Sequence, residues 1–140
     1  MSDNEVKPLR WTPDPNVGYS VERRPDGGLN VRFSAVTPAT LKHWREFALE
    51  HLLDSDRLTR NLYDLRAIDS LSEDAVEYAI EVNNDPSVRN IRLAVVVGND
   101  RVAQAVHQIA ALTTGGVDMA VFNDMESAEA WLNRPLTLVV

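Results

Sequence analysis

Polar side chains gather where two apolar segments of the sequence end. Asp64 and Arg66 close the first segment, whereas Gly98, Asn99 and Asp100 close the second. If both segments are parallel strands, their carboxyl ends meet at one sheet edge, beside helix N-termini whose free N–H groups suit a carboxylate or phosphate. The spacing therefore predicts a ligand site at that edge, formed by Asp64, Arg66, Ser70, Gly98, Asn99 and Asp100, with Tyr63 and Tyr78 as candidate walls.

No nucleophile, base or metal ligand occurs at a spacing that predicts catalysis. The chain has no cysteine, which excludes disulfides, thiol nucleophiles and thiolate metal sites. Gly98 does not belong to a G-x-G-x-x-G phosphate loop. His43, Glu46 and Glu50 share a helical spacing, but an exposed, charged helix face explains them without a metal. We therefore expect a protein that is not an enzyme, with no cofactor and no metal.

The composition indicates a single globular domain. The 140 residues are 44% hydrophobic and 25% charged, and the net charge is −7. That charge opposes binding to nucleic acid, because phosphates require clustered Lys and Arg. The first residues show neither the basic nor the apolar region of a secretory signal, and no apolar run reaches the ~20 residues of a membrane helix. We expect a cytoplasmic protein without nucleic-acid or integral membrane contacts.

The segment from Asn90 to Gly98 gives the clearest signal of the fold. Leu93 to Val97 are five successive apolar residues, whereas a strand with one wet face would alternate polar and apolar side chains. Both faces of this strand must therefore be covered. Such a pattern is typical of a parallel sheet with helices on both sides.

Turn and capping residues divide the rest of the chain into elements. Pro25–Gly28 predicts a tight turn between two strands of period two, and hence an antiparallel hairpin at the start of the sheet. Thr37-Pro38 predicts the start of the first helix, and Ser70 with Glu73 matches a capping box at the start of the second. Gly115-Gly116 predicts a left-handed stop after the third helix.

The predicted order of elements is β, β, α, β, α, β, α, β, α. Right-handed crossovers wind such an order into an α/β fold with a mainly parallel sheet of about five strands and about four helices. Residues 18–134 form the predicted domain. An extended arm, residues 1–17, precedes it, and an apolar tail, residues 135–140, follows it.

Three parts of the sequence carry a more specific pattern. They are Asn61-Leu62-Tyr63-Asp64-Leu65-Arg66, the apolar run 91–97, and 120–124 with the closing Ala128-Glu129-Ala130-Trp131-Leu132. Together they resemble the SpoIIAA-like family, relatives of the STAS domains found in anti-sigma-factor antagonists. The resemblance spans roughly residues 19–133 and implies a (βα) superhelix of the SpoIIAA/STAS type.

The resemblance leaves two functions open. Members of the SpoIIAA-like branch are mostly uncharacterised, and their likeness to lipid-transfer folds implies a small apolar or amphipathic ligand, which we expect at the carboxyl edge of the sheet. True antagonists instead carry a phosphorylatable serine in an Asp-Ser-Ser-Gly type motif. Asp69-Ser70-Leu71-Ser72 lies at a comparable place, although no glycine follows. The alternative function is therefore a protein-interaction module regulated by phosphorylation of Ser70.

Three further predictions concern packing. Trp11 should dock on the domain, and Trp131 and Leu132 should pack against the sheet beside Phe122. The tail Leu136–Val140 is apolar and β-prone, and a free strand edge attracts such segments. We expect it to add a strand to its own sheet or to cross to a neighbouring copy, which would form a homodimer.

Overall fold

The computed structural model describes residues 11, 14–52 and 58–134. Within them the chain forms five strands and four helices in the predicted order. They are β1 (Tyr19–Arg23), β2 (Leu29–Phe33), α1 (Pro38–Leu52), β3 (Thr59–Leu65), α2 (Glu73–Asn83), β4 (Ile91–Val97), α3 (Asp100–Ala111), β5 (Val117–Phe122) and α4 (Met125–Leu132). None of these helices is long and apolar enough to cross a membrane.

The strands lie in one sheet in the order β1-β2-β3-β4-β5. β1 pairs with β2 in the antiparallel direction, and every later neighbour is parallel. This arrangement confirms the mainly parallel sheet and the N-terminal hairpin. The turn between β1 and β2 contains Gly27 at a φ of 91°, a conformation that glycine adopts without strain.

Alternate residues of the strands face two separate hydrophobic clusters. Tyr63 and Leu65 of β3, with Val95 and Val97 of β4, pack in the large cluster under α1, α2 and α3. Leu62 and the facing β4 residues Ala94 and Val96 pack under α4. β4 is therefore covered on both faces, as its continuous apolar run predicts.

Residues that accept hydrogen bonds from free backbone N–H groups fix the helix starts. Thr37 Oγ1 accepts from the N–H of Thr40 at 3.2 Å, which confirms the predicted start of α1. Asn99 caps α3 through the N–H of Val102 at 2.8 Å. Asp124 caps α4 through the N–H of Ser127 at 2.7 Å.

The predicted cap of α2 is wrong. Ser72, not Ser70, accepts from the N–H of Ala75 at 3.1 Å, and Ser70 is exposed outside the helix. The capping-box spacing fits Ser70, but packing decides the register. Ile68 is buried after a turn closed by its own N–H bond to Leu65, so the helix begins only at Glu73, four residues later than a start directly after Ile68.

The predicted left-handed stop at Gly115-Gly116 is also wrong. α3 ends at Ala111, and Gly27 is the described glycine with a positive φ. Gly116 is needed for a different reason, since a Cβ there would lie 2.3 Å from the Cα of Arg89. The glycine lets the chain entering β5 pass close to the chain entering β4.

Aromatic side chains at the start of the domain form a cluster. The sequence predicted some of its contacts but not all of them. The ring of Trp11 lies 6.1 Å from that of Tyr19, which confirms that Trp11 packs on its own domain. His43 was expected on the exposed face of α1, but it is half-buried and its Nδ1 hydrogen-bonds the hydroxyl of Tyr19. A buried tyrosine hydroxyl needs a partner, and His43 supplies it.

The last helix returns over β3 and β4. Leu132 is fully buried and Trp131 is half-buried, with its ring 5.7 Å from that of Phe122. Arg60 Nε and Arg92 Nη1 donate to the carbonyl oxygen of Leu132, at 2.6 and 3.4 Å. Two cations thus satisfy the negative end of the α4 dipole. The tail Leu136–Val140 lies outside the described residues, as does the arm before Trp11.

Candidate functional site

At the carboxyl end of β3, Asp64 forms an ion cluster with Arg66 and Arg32. Its side chain is 9% exposed. Arg66 donates to Oδ1 from its backbone N–H and from Nε, both at 3.0 Å, and to Oδ2 from Nη2 at 2.9 Å. Arg32 Nε lies 3.6 Å from Oδ2. The Arg66 hydrogen bonds lower the pKa of Asp64 below its ordinary value, so the carboxylate is charged and already paired.

The loop after β4 is tied to the loop after β3. Gly98 allows this approach, because a Cβ there would lie 2.7 Å from the carbonyl oxygen of Arg66. Asn99 Nδ2 donates to the carbonyl oxygens of Ile68 and Asp69, at 3.4 and 3.3 Å. Since the Asn99 oxygen caps α3, both ends of its amide are used inside the protein.

The structure therefore brings together four of the six predicted site residues. Asp64, Arg66, Gly98 and Asn99 lie at the junction of the two loops, and their polar groups bond one another or nearby backbone. Ser70 and Asp100 are exposed, and no hydrogen bond joins either side chain to that junction within the described part of the chain. The contacts at this junction stabilise the carboxyl edge of the sheet, and most of its polar groups already have partners within the protein.

Between the sheet and the helices α1, α2 and α3 lies an apolar cavity of about 70 Å³. Strand residues form its floor, helix residues form its roof, and Val36 and Leu71, from the loops after β2 and β3, line it at the carboxyl edge. Its lining comprises Phe33, Val36, Leu41, Trp44, Tyr63, Leu65, Leu71, Ala75, Ala79, Asn83, Leu93, Val95, Val106, Ile109 and Met119. None of the six predicted site residues is among them.

Two polar side chains line this cavity. Trp44 Nε1 donates to the hydroxyl oxygen of Tyr63 at 3.2 Å, and burial raises the pKa of Tyr63 to about 12. Asn83 is 5% exposed, and its Nδ2 donates to Thr113 Oγ1 at 3.2 Å. The sequence predicted Tyr63 and Tyr78 as walls of the site, and of these two Tyr63 lines the cavity whereas Tyr78 does not. It gave no sign of Asn83, whose position at the last turn of α2 is typical of an exposed polar residue.

A second depression lies on the opposite face, beside α4. It measures about 140 Å³ and is lined by Ser20, Glu22, Asn30, Val31, Arg32, Leu62, Asp64 and Met125. Its lining mixes polar and apolar side chains, and two of its charged residues, Arg32 and Asp64, form an ion pair. We find no feature in it that selects one class of ligand.

Arg24 is a buried charged residue that sequence reasoning missed. Its side chain is 4% exposed, and its Nη1 and Nη2 donate to the two carboxylate oxygens of Glu129 at 3.0 and 2.8 Å. Asp26 accepts from the same guanidinium at 3.0 Å. This two-pronged pairing joins α4 to the hairpin turn. The partners are 105 residues apart, so no local pattern could have paired them.

Among the described residues, no group of three or more His, Asp or Glu side chains could hold a metal ion.

Comparison with known proteins identifies the fold. No protein-family model matches the chain, and no curated protein matches its sequence. Among solved structures, it is similar to an uncharacterized protein of the DUF3478 family with a SpoIIAA-like fold from Shewanella loihica PV-4. The TM-score is 0.61 and the identity is 18%, over 87% of this chain and 99% of that one. The chain therefore has a SpoIIAA-like α/β fold, as the resemblance implied.

Proposed function

We propose that the protein is a non-enzymatic binding domain that holds the apolar part of a small ligand in the cavity beneath α1, α2 and α3. The observation that supports this most directly is the cavity itself, about 70 Å³ of partly open space between the sheet and the three helices, lined mainly by apolar side chains. Close-packed interiors leave few voids larger than a water molecule, and each void destabilises the fold.

The walls of the cavity support an apolar occupant in preference to water. A buried water usually makes about three hydrogen bonds, and apolar cavities lacking such partners stay dry. Thirteen of the fifteen lining residues are hydrocarbon, thioether or indole side chains, and only Tyr63 and Asn83 carry other polar groups. An engineered apolar cavity of roughly 150 Å³ accommodates benzene, so this one suits a smaller group or the end of a longer ligand.

The position of the cavity supports entry from the carboxyl edge. Val36 and Leu71 are half-buried and belong to the loops that follow β2 and β3. An amphipathic ligand that enters there would leave its polar end near the loops that carry Ser70 and Asp100, two exposed members of the predicted site. The proposal thus retains the carboxyl edge and moves the apolar part of the ligand beneath the helices.

Filling the cavity provides a test. Ala79 lines the cavity on α2, whereas Ala110 on α3 is half-buried but does not line it. Xenon binds dry apolar cavities, so xenon titrated under pressure should shift the amide resonances of lining residues in wild type and in Ala110→Leu. The shifts should disappear in Ala79→Leu. Equal xenon shifts in both variants, or none in wild type, would refute the proposal.

A phospho-regulated protein-interaction module is the second candidate, and one observation favours it. Ser72 caps α2, so the exposed hydroxyl of Ser70 has no capping role that a phosphate would disturb. A phosphate at Ser70 would also lie close to the positive end of the α2 dipole. Pull-downs with wild type and Ser70→Asp test this function, and recovery of the same partners by both would rule it out.

A further inference from the structure

The hydrogen-bonding role of Tyr63 in the cavity wall is fixed by its neighbour. The indole Nε1–H of Trp44 can only donate, so the hydroxyl oxygen of Tyr63 accepts that bond. The hydroxyl proton of Tyr63 then has no acceptor among the described residues. A hydroxyl with a raised pKa keeps this proton at neutral pH.

The role of Asn83 is fixed in the same way. Thr113 Oγ1 donates its proton to the carbonyl oxygen of Ile109 at 2.7 Å, so that oxygen can only accept from Asn83. The amide of Asn83 must therefore present its NH₂ group to Thr113. Its carbonyl oxygen remains without a donor among the described residues, although the residue is 95% buried.

The cavity thus has one unused donor and one unused acceptor in an otherwise apolar lining. A polar group in an apolar wall is stabilised by a ligand that can form a hydrogen bond with it. No Lys, Arg or His lines the cavity, so a carboxylate or phosphate inside it would be buried without a counter-charge, which is strongly unfavourable.

We infer that the cavity selects an uncharged ligand with a small hydrocarbon body and a hydroxyl group, which accepts from Tyr63 or donates to Asn83. This inference rests on the proposed function and names the chemical class of its ligand. A hydroxyl both accepts and donates, so one group satisfies either wall residue. A plain hydrocarbon would leave both unpaired.

The test compares three probes on the full chain: xenon, 1-butanol and butyrate. Amide and indole chemical shifts, including that of Trp44 Nε1–H, report binding. We expect saturable binding of 1-butanol and no binding of butyrate at the cavity. Tyr63→Phe or Asn83→Ala should weaken 1-butanol about five-fold, the usual effect of one neutral hydrogen bond, and should leave xenon binding in place. Tyr78→Phe, at a half-buried tyrosine outside the lining, is the matched control and should change neither.

Each outcome separates the inference from the proposed function. If xenon binds but the affinity for 1-butanol is the same in wild type, Tyr63→Phe and Asn83→Ala, the inference is wrong and the cavity proposal still stands. Butyrate bound as tightly as 1-butanol would also overturn it. If wild type binds neither xenon nor 1-butanol, both the inference and the proposed function are refuted.

Discussion

Replacing either serine of the β3–α2 loop by alanine distinguishes the two possible starts of α2. Ser72 Oγ accepts one hydrogen bond, from the N–H of Ala75 at 3.1 Å, whereas Ser70 is exposed before the helix. Loss of a serine N-cap costs about 1 kcal/mol. Unfolding entropies of about 2.1 cal/mol/K per residue give about 0.3 kcal/mol/K for 140 residues. Ser72→Ala should therefore lower Tm by about 3 °C, and Ser70→Ala should leave it within about 1 °C.

Thermal unfolding followed by circular dichroism measures both variants under the same conditions. Ser72→Asp is the control, because aspartate caps helices as well as serine does and should restore the wild-type Tm. If Ser70→Ala is the more destabilising variant, α2 starts where the sequence pattern placed it, and the packing argument from Ile68 is wrong.

Three further changes test the ion cluster, the α4 contact and the tail. Asp64→Asn should cost about 1–3 kcal/mol at neutral pH, because it removes a charged acceptor from Arg66 and Arg32. The pKa of Asp64 is lowered in the folded protein, so the carboxylate stabilises the fold fully above the unfolded pKa of about 3.9, and this stabilisation is lost as the pH falls through the folded pKa. In denaturant melts, the stabilities of wild type and Asp64→Asn should therefore converge at low pH. A constant difference between them down to pH 2 would contradict the pairing. Leu132→Ala should cost about 2–5 kcal/mol and exceed Trp131→Ala, since Leu132 is fully buried and Trp131 only half-buried; the reverse order in thermal melts would count against the described α4 packing. A chain ending at Pro135 should keep its sedimentation mass but lose stability if the tail pairs within its own sheet, whereas a fall from dimer to monomer would indicate exchange between copies.

The strands and helices were predictable because they depend on local periodicity. The continuous apolar run of β4 requires cover on both faces, and the structure supplies it from α4 on one side and from the other helices on the opposite side. The turn at Gly27 and the caps at Thr37, Asn99 and Asp124 follow from the chemistry of single residues. Each of these features is decided within a few residues of chain.

Features that depend on tertiary contact were not predictable in the same way. The capping spacing of Ser70 is equally local, but the burial of Ile68 delays the helix to Glu73. Gly115-Gly116 looks like a helix stop, yet Gly116 is required by the backbone of Arg89 from another segment. The burial of Arg24 requires Glu129, far along the sequence.

The candidate site also contains features that the sequence predicted and features that depend on tertiary contacts. Sequence spacing correctly brought the loops after β3 and β4 together at Asp64, Arg66, Gly98 and Asn99. It did not reveal that their polar groups satisfy one another. The cavity was also hidden, because an unfilled volume is set by how side chains from seven strands and helices meet, and no residue type marks it. Phe33 and Trp44 occupy core positions that their residue types predict, and the packing around them leaves a gap.

Native mass spectrometry of the purified protein, compared with its cavity-filled variant, determines whether the cavity holds a ligand. If the cavity holds a ligand in the cell, wild type and Ala110→Leu should carry the same small, dissociable mass above that of the chain. Ala79→Leu, which occupies the cavity with its own side chain, should lack that mass. An adduct of equal abundance on all three proteins, or a wild type that stays at the mass of the chain alone and takes up no member of a panel of small alcohols and amphipathic lipids, would contradict the account.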